Sequence, residues 1–351
     1  MSRENRKILL GVLFGIILIA AVVYFLTTAK PATVEADGGY REVMGTFARI
    51  VAVAADSNTA KGCIEAAFAE IEKIDELMSD YKSDSEISEL NRDGFRRAVK
   101  VSKSTYEVLQ RSIEFSELTC GAFDVTVGPL VDLWHSAQDA NSLPTDAELL
   151  GARSKVGYDK LILDANETSV RFAVDGMRVD LGGIAKGYAL DKAVEAMQKD
   201  GAIGGMVDIG GDIRCFGSPP EGQDRWRIGL QDPTGNFEFP AGAGKPVLIL
   251  KLTDAAIATS GGYRRFALIE GKKYSHIINR QTGMSVEGLS SVTIISNNAI
   301  DADALATAVS VMGPEKGLAL IEEIPETEAI LISSAPKYEL IKSSGAEKFI
   351  E

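Results

Sequence analysis

The sequence predicts an α+β fold in which mixed or antiparallel sheets pack against helices, preceded by one N-terminal transmembrane helix. Short alternating segments typical of strands are spread along the chain, and the helical segments between them form no regular strand, helix, strand repeat. One long apolar run lies near the start. The chain has 351 residues, of which 45% are hydrophobic, so it is long enough to bury a large core.

The first residues differ in composition from the rest. An uninterrupted apolar run at 8–26 follows the basic residues Arg3, Arg6 and Lys7, and it is long enough to span a bilayer as a helix. The positive flank predicts that residues 1–7 stay in the cytoplasm and that everything after the run lies outside. A cleaved signal peptide is the alternative. We therefore expect an inner-membrane anchor, a tether at 27–39 and one domain at 40–351 on the periplasmic side.

The remaining elements follow from hydrophobic spacing and turn residues. The clearest helix is 60–78, where apolar residues recur at spacings of three and four, after a cap at Asp56. Further helices are predicted at 104–118, after a capping box at Thr145, and at 185–199, 302–312 and 316–324. Strands are predicted at 46–53, 161–163, 170–172, 177–179, 205–209, 226–230, 247–252, 266–269, 292–295 and 329–332.

The charge balance limits the choice of partner. With 50 acidic and 37 basic residues the formal charge is -13, and no basic stripe occurs, which argues against a nucleic acid. An anionic small molecule is still compatible, because backbone N–H groups, a few cationic side chains and a metal can reverse the local field. The three cysteines are scattered and predict no disulfide framework.

A pair of oxygen-bearing side chains is predicted on one helix face. Asp303 and Thr307 are four residues apart and therefore stacked on that face. Carboxylate and hydroxyl oxygens suit Mg2+, which takes one or two carboxylates and fills its other positions with water and phosphates. The alternative is that the acids of this segment only cap the helix and complement its dipole.

Several other segments suit an anionic, ring-bearing ligand. Two glycines join a strand to a helix at 179–187, where backbone N–H groups and Lys186 could face a phosphate. A second glycine pair lies at 208–212, and Arg264 in the polar loop 259–265 offers a guanidinium fork. Tyr81 and Phe123 could stack on a planar ring, although such residues often belong to the core.

One of only two histidines, His276, lies at a strand end that runs into a polar turn. Histidine is the side chain best suited to moving protons near neutral pH, and only His135 competes for that role. A structural, half-buried imidazole is the alternative. The position of His276, between a phosphate-suited loop and a Mg2+-suited helix, favours a functional role.

Taken together, these segments resemble the FAD:protein FMN transferase family, often called ApbE. The resemblance runs in family order from about residue 41 to the C-terminus. Its motifs are Met44-Gly-Thr46, Met78-Ser-Asp-Tyr81 with 85–91, Gly121-Ala-Phe-Asp124, Asp180-Leu-Gly-Gly-Ile-Ala-Lys-Gly187, Asp208-Ile-Gly-Gly-Asp212, Ser275-His-Ile-Ile278 with Thr282-Gly283, and Ala302-Asp-Ala-Leu-Ala-Thr307. This chain differs from many relatives at 279–283, where it reads Asn-Arg-Gln-Thr-Gly rather than Asp-Pro-Arg-Thr-Gly.

The resemblance implies an ApbE-like, T-fold-related domain that moves FMN from FAD to a threonine of a partner protein, with Mg2+ and release of AMP. It implies acceptors among the flavin-carrying subunits of Na+-pumping NADH:quinone reductases and Rnf-type complexes. By resemblance, His276 is the general base, and the metal is held by Asp303, Thr307 and the carbonyl of Ala185. The residues implied to contact FAD are Met44, Tyr81, Ala122, Phe123, Asp124, Asp180, Lys186 and Ile277, to which the phosphate-suited Arg264 is added.

Two other functions remain open on the sequence. An FAD pyrophosphatase would use water as the nucleophile at the same phosphorus and yield FMN and AMP. A membrane-tethered flavin-binding protein would hold FAD without turning it over. The Asp303 and Thr307 pair favours catalysis over simple binding.

Overall fold

The computed structural model describes residues 33–233, 246–262 and 265–351, with residues 11, 14 and 15 near the start. Within these residues, no helix is both long enough and apolar enough to cross a membrane. The predicted fold class is therefore corrected. For the part of the chain that the structure describes, it is an α+β fold of antiparallel sheets and packed helices, without the predicted membrane-spanning helix. The predicted span, 8–26, lies almost entirely outside the described residues.

The described residues form one large antiparallel sheet of eight strands. Their order across the sheet is β1 (Val34–Val43), β2 (Thr46–Ala54), β6 (Gly204–Ile209), β7 (Asp212–Gly217), β10 (Ala255–Ser260), β13 (Leu289–Ser296), β14 (Glu328–Ser333) and β15 (Leu340–Lys342). Three small sheets accompany it, formed by β3 (Val99–Lys100) with β5 (Ser169–Phe172) and β4 (Leu161–Asp164), by β8 (Trp226–Leu230) with β9 (Leu248–Leu252), and by β11 (Phe266–Ile269) with β12 (Lys272–Ser275).

The α-helices of the described residues are α1 (Ser57–Met78), α2 (Glu86–Asp93), α3 (Lys103–Leu118), α4 (Gly128–Ala140), α5 (Asp146–Arg153), α6 (Ala185–Lys199), α7 (Ala299–Met312) and α8 (Pro314–Glu323). Two starts match their sequence signals. Asp56 caps α1 by accepting from the backbone N–H groups of Asn58 and Thr59, and Thr145 with Glu148 forms the predicted capping box of α5.

The large sheet is covered on both faces, and β2 shows how the sequence produces this. Ile50 and Ala52 point into the main core, which the helices complete, whereas Val51 and Val53 point into a second core formed with β8 and β9. Because successive strand residues alternate between faces, a nearly continuous apolar run is what such a strand requires. A third cluster beside α4 joins that helix to β11 and to the turn after β12.

Some predicted elements are wrong or incomplete. The segment 177–179 is not a strand and makes only an isolated bridge from Arg178 to Val127. Strand β1 begins at Val34, so the last part of the predicted tether is an edge strand of the sheet. Helix α7 begins at Ala299, before the predicted start at 302, and this places Asp303 in its second turn.

Candidate active site

The site is built where the first turns of α6 and α7 meet. A Cβ atom on Gly187 would lie 2.3 Å from the carbonyl oxygen of Ala299, so only glycine allows the two helices to approach this closely. The start of α7 is capped from α6, since the carboxylate of Asp191 accepts from the N–H groups of Ala299 and Ile300. The acids inside α7 are therefore not needed to cap it.

The side chain of Asp303 instead points toward the start of α6. Its side chain is buried, with 3% of the residue exposed, and its Oδ2 accepts from the backbone N–H of Gly187 at 3.0 Å. Oδ1 lies 3.6 Å from Lys186 Nζ. Burial raises the pKa of Asp303 above its ordinary value, and the Lys186 ammonium opposes that rise. A buried carboxylate with one loosely engaged oxygen suits a cation.

Lys186 is held between two carboxylates. It forms an ion pair with Asp212, whose other oxygen, Oδ1, accepts from the backbone N–H of Thr259 at 2.9 Å. Burial acts to lower the pKa of Lys186, but the charges of Asp212 and Asp303 outweigh it and the pKa is raised. Lys186 is therefore a permanent cation at the pH of the cell.

Sequence reasoning did not single out Asp212. The segment 208–212 drew attention through its two glycines, whereas its last carboxylate is the group that the fold buries against Lys186. The signal that could have indicated Asp212 is its position at the start of the strand β7. A buried charged residue there needs a partner of opposite charge.

Thr307 completes a set of oxygen atoms around the start of α6. Its Oγ1 lies 3.4 Å from Ser260 Oγ, and a Cβ on Gly183 would lie 2.9 Å from the same Oγ1. Thr307 thus lies beside Gly183, two residues before Ala185, and Asp303 accepts from Gly187, two residues after it. These two side chains bracket Ala185, the first residue of α6.

A carboxylate, a hydroxyl and a backbone carbonyl are hard oxygen donors of the type that Mg2+ prefers. Among the residues that the structure describes, no group of three or more His, Cys, Asp or Glu could hold a metal ion. The donor set at Asp303, Thr307 and Ala185 has a different composition from such a group. Donors of this composition are compatible with Mg2+, whose remaining positions water and phosphate oxygens would fill.

His276 follows β12 with its ring exposed at the surface. Its Nδ1 lies 3.0 Å from the carbonyl oxygen of Arg265, and a carbonyl can only accept. In the neutral ring Nδ1 therefore carries the proton, and Nε2 is left as the acceptor. The surrounding protein removes part of the water around the ring, and this, with the nearby charges of Arg265 and Lys186, lowers the pKa below 6.5. His276 is thus a neutral base at pH 7.

The two described ends of the segment between β10 and β11 both lie at the site. Ser260 at the start of this segment contacts Thr307, and Arg265 at its end orients His276. The predicted phosphate contact Arg264 lies outside the described residues. Its neighbour Arg265, which sequence reasoning left unassigned, is an exposed cation whose charge acts on Tyr81, Lys186 and His276.

Tyr81 and Asp180 lie on a second set of loops. Tyr81 follows α1 and is 87% exposed, so its ring is free to stack on a ligand. The preceding Asp80 forms an ion pair with Arg178 at 2.8 Å, which fixes the base of this turn. Burial raises the pKa of Asp180, and its Oδ1 accepts from the backbone N–H of Gly182 at 2.7 Å.

The predicted FAD loop 122–124 is tied firmly to the protein. Phe123 is buried and packs edge-on against Phe115, with ring centroids 6.1 Å apart. Asp124 accepts from Thr126 and from the backbone N–H of Tyr158, and it forms an ion pair with Arg280 at 2.9 Å. Its carboxylate is therefore occupied within the protein, and Ala122 is the member of this trio with a half-buried rather than buried position.

Replacing Asp124 with alanine should destabilise the protein by about 3 kcal/mol, because it leaves the half-buried Arg280 and three backbone or hydroxyl donors without their acceptor. Urea denaturation measures the change in the free energy of unfolding. Asp139→Ala on the exposed face of α4 is the matched control and should change stability by less than about 0.5 kcal/mol. Equal stability of the two variants would contradict the structural role of Asp124.

The remaining predicted contacts are Met44 and Ile277. Met44 occupies the tight turn between β1 and β2 with a φ of 49°, next to Gly45, and packs partly against the main core. Ile277 is buried, and its carbonyl oxygen accepts from the N–H of Val286 at 3.0 Å. Both lie on turns that are fixed by backbone hydrogen bonds.

The unusual segment 279–283 forms a defined turn. Asn279 Oδ1 accepts from the backbone N–H groups of Gln281 and Thr282, and the N–H of Gly283 returns to the carbonyl of Asn279 at 2.7 Å. Trp134 on α4 donates its indole N–H to the carbonyl of Gly283. Asparagine thus supplies the side-chain acceptor that closes this turn.

Direct contacts join Lys186 to Asp212 and Asp303, and Asp212 to the backbone of Thr259. Thr307 contacts Ser260, the residue after Thr259. His276 contacts Arg265, and the charges of Arg265 and Lys186 act on its ring. The predicted flavin contacts Met44, Tyr81, Ala122 and Ile277 lie on separate turns. The structure therefore supplies a charged centre, a base with a defined tautomer and an exposed aromatic ring.

Several relatives of this chain are named FAD:protein FMN transferases. The model of the ApbE family matches residues 44–331. The chain is 35% identical over 283 residues to an FAD:protein FMN transferase of Vibrio cholerae, a match that covers 80% of this chain and 82% of that protein.

Solved structures agree with this match. The ApbE protein of Thermotoga maritima has a TM-score of 0.79 at 31% identity, covering 91% of this chain and all of that chain. The flavin transferase ApbE of Vibrio cholerae has a TM-score of 0.74 at 32% identity, covering 91% of this chain and 99% of that one. These matches make the chain a transferase. It belongs to the ApbE family.

Proposed function

We propose that this protein is a Mg2+-dependent FAD:protein FMN transferase that attaches FMN to a threonine hydroxyl of a partner protein and releases AMP. The observation that carries the proposal is the placement of the buried Asp303 carboxylate with the partly buried Lys186 and Thr307 where α6 and α7 meet. The charges there suit a divalent cation beside a pyrophosphate, and the relatives of this chain are named for FMN transfer from FAD.

Asp303, Thr307 and the carbonyl of Ala185 are the residues that would hold Mg2+. When bound there, the ion neutralises charge on the phosphate oxygens. Phosphoryl-type transfer depends mostly on positioning and on such electrostatic stabilisation. Lys186, kept cationic by Asp212, adds a second fixed positive charge next to Asp303. The exposed Arg265 adds a third at the outer edge.

His276 supplies the proton transfer. Its Nε2 takes the proton of the threonine hydroxyl as the threonine oxygen forms a bond to the FMN phosphorus. The bond from that phosphorus to the bridging oxygen breaks, and AMP leaves with the electron pair. Because Nδ1 is held by the Arg265 carbonyl, the ring presents Nε2 to the incoming group.

The test is a transfer assay. The protein is incubated with FAD, Mg2+ and an acceptor domain, and covalent flavin fluorescence on the acceptor is measured after denaturing electrophoresis. An acceptor whose target threonine is replaced by alanine is the control. Stoichiometric labelling of the threonine acceptor alone is the expected result, and no labelling of any candidate acceptor would overturn the proposal.

The same assay separates the two alternatives. AMP release at the same rate with and without acceptor would identify an FAD pyrophosphatase, since water would then be the nucleophile. Tight FAD binding without AMP release in Mg2+ would identify a binding protein. For the transferase, AMP release should depend on the acceptor.

The acceptor class follows from the family resemblance. Flavin-carrying subunits of Na+-pumping NADH:quinone reductases or Rnf-type complexes are the first acceptors to test. The same resemblance supports action on the periplasmic side of the inner membrane. A C-terminal fusion to alkaline phosphatase, which is active only outside the cytoplasm, should be active, and an inactive fusion would contradict that location.

The pH dependence of transfer should report His276. The base must be neutral, so the rate rises with pH through the pKa of His276 and is constant above it. Because that pKa lies below 6.5, the rate should already be near its plateau at pH 7 and should fall under more acidic conditions. Initial rates from pH 5 to 8 at saturating Mg2+ measure this. A rate that still rises steeply above pH 7 would exclude His276 as the titrating group.

A further inference from the structure

Asp212 lies within the cluster without belonging to the proposed set of metal ligands. It opens β7, is 3% exposed, and its two oxygens have separate partners. Oδ1 is fixed by the backbone N–H of Thr259 at 2.9 Å, and Oδ2 is paired with Lys186 Nζ. The carboxylate is therefore oriented by the sheet, independently of any ligand.

Lys186 is shared unequally between Asp212 and Asp303. Its contact with Asp212 is a direct hydrogen bond, whereas Nζ lies 3.6 Å from Asp303 Oδ1, longer than a normal hydrogen bond. Asp303 Oδ2 is already used by the N–H of Gly187. Oδ1 of Asp303 can therefore accept a further ligand, and the Lys186 ammonium beside it is drawn toward Asp212.

An ammonium and a divalent cation compete for the same carboxylate oxygen. If Asp212 were neutral, Asp303 would be the only carboxylate partner left to Lys186 within this cluster, and the ammonium would close the remaining distance. A cation would then have to displace it. The carboxylate of Asp212 is therefore needed to keep Oδ1 of Asp303 accessible to a cation.

We infer that Asp212 is a positioning residue that draws Lys186 away from Asp303 and so keeps an oxygen of Asp303 available to Mg2+, an inference that rests on the proposed Mg2+ site. Asp212 also fixes the Lys186 ammonium where a pyrophosphate would meet it. The residue acts on the metal through Lys186 and not by ligating it.

The experiment measures Mg2+ affinity without FAD, by isothermal titration calorimetry on the full-length protein. Asp212→Asn should weaken Mg2+ binding about 10- to 100-fold, the usual effect of removing a partner that orients a metal ligand. Asp208→Asn is the matched control in the same turn, where an amide oxygen can still accept from Gly211, and it should bind as the wild type does. Wild-type affinity in Asp212→Asn would overturn the inference.

Two further variants separate a positioning role of Asp212 from direct ligation of the metal. Lys186→Met should bind Mg2+ at least as tightly as the wild type, and adding it to Asp212→Asn should restore affinity to within about threefold, because the competing cation is gone. A double variant that stays weak would make Asp212 a direct ligand and overturn the inference. If Asp212→Asn fails to fold, as circular dichroism would reveal, weakened binding in Lys186→Met alone would still overturn it.

The wild-type titration distinguishes this inference from the proposed function. No Mg2+ binding by the wild type would remove the proposed metal site and, with it, the inference. Mg2+ binding by the wild type with unchanged affinity in Asp212→Asn would remove the inference alone.

Discussion

Replacing Asp303 with asparagine is expected to slow Mg2+-dependent FMN transfer by about 10³-fold or more, because charge stabilisation at a transferring phosphate is usually the largest catalytic contribution. Asparagine keeps an acceptor for the N–H of Gly187 and removes the negative charge. The fold and some FAD binding should therefore survive. Transfer rates at increasing Mg2+, with FAD binding followed by flavin fluorescence, measure the two effects separately.

Asp301→Asn provides the control for this prediction. Asp301 lies on the same helix but forms an ion pair with Arg111 at 2.8 Å, away from Lys186. Its loss should leave transfer within about twofold of the wild type, since surface ion pairs contribute little. Full activity of Asp303→Asn, or an equal loss in both variants, would contradict the assignment of Asp303 to the metal.

Replacing His276 with glutamine should slow transfer by about 10²- to 10⁴-fold, the usual contribution of a positioned general base. Glutamine retains a donor for the Arg265 carbonyl but offers no base of suitable strength. FAD and Mg2+ affinities should be nearly unchanged, because His276 is outside the charged cluster. The loss should therefore appear in the rate at saturating FAD and not in the FAD concentration needed.

His135→Gln is the matched histidine control, because His135 is the other histidine of the chain and lies exposed on α4. It should transfer FMN at nearly the wild-type rate. A stronger acceptor nucleophile or a higher pH should rescue His276→Gln in part, as expected when only proton removal is lost. Loss of Mg2+ binding in His276→Gln would point to a structural role instead.

Local sequence signals predicted many elements of the fold. The apolar spacing of 60–78 and the cap at Asp56 define α1, and the helix 185–199 has the predicted ends. Propensity failed where tertiary pairing decides the structure. Strand β1 is polar along much of its length and becomes a strand because it pairs with β2.

The candidate site shows the same division. Asp303 and Thr307 could be predicted because their spacing places them on one helix face. The pairing of Asp212 with Lys186 could not be predicted, because the two residues meet only when the sheet and α6 pack together. Likewise, the ion pair of Asp124 with Arg280 joins segments separated by 156 positions, and no local pattern indicates it.

The cluster of Asp212, Asp303 and Lys186 should also influence the order and strength of ligand binding. Asp212 and Asp303 against Lys186 leave one net negative charge, which favours a lone Mg2+ and opposes a lone pyrophosphate dianion. Once Mg2+ is bound the net charge of the cluster becomes positive. Mg2+ and the pyrophosphate should therefore each tighten the binding of the other. By thermodynamic reciprocity the two enhancements must be equal, and the protein would then discriminate against free FAD whenever Mg2+ is scarce.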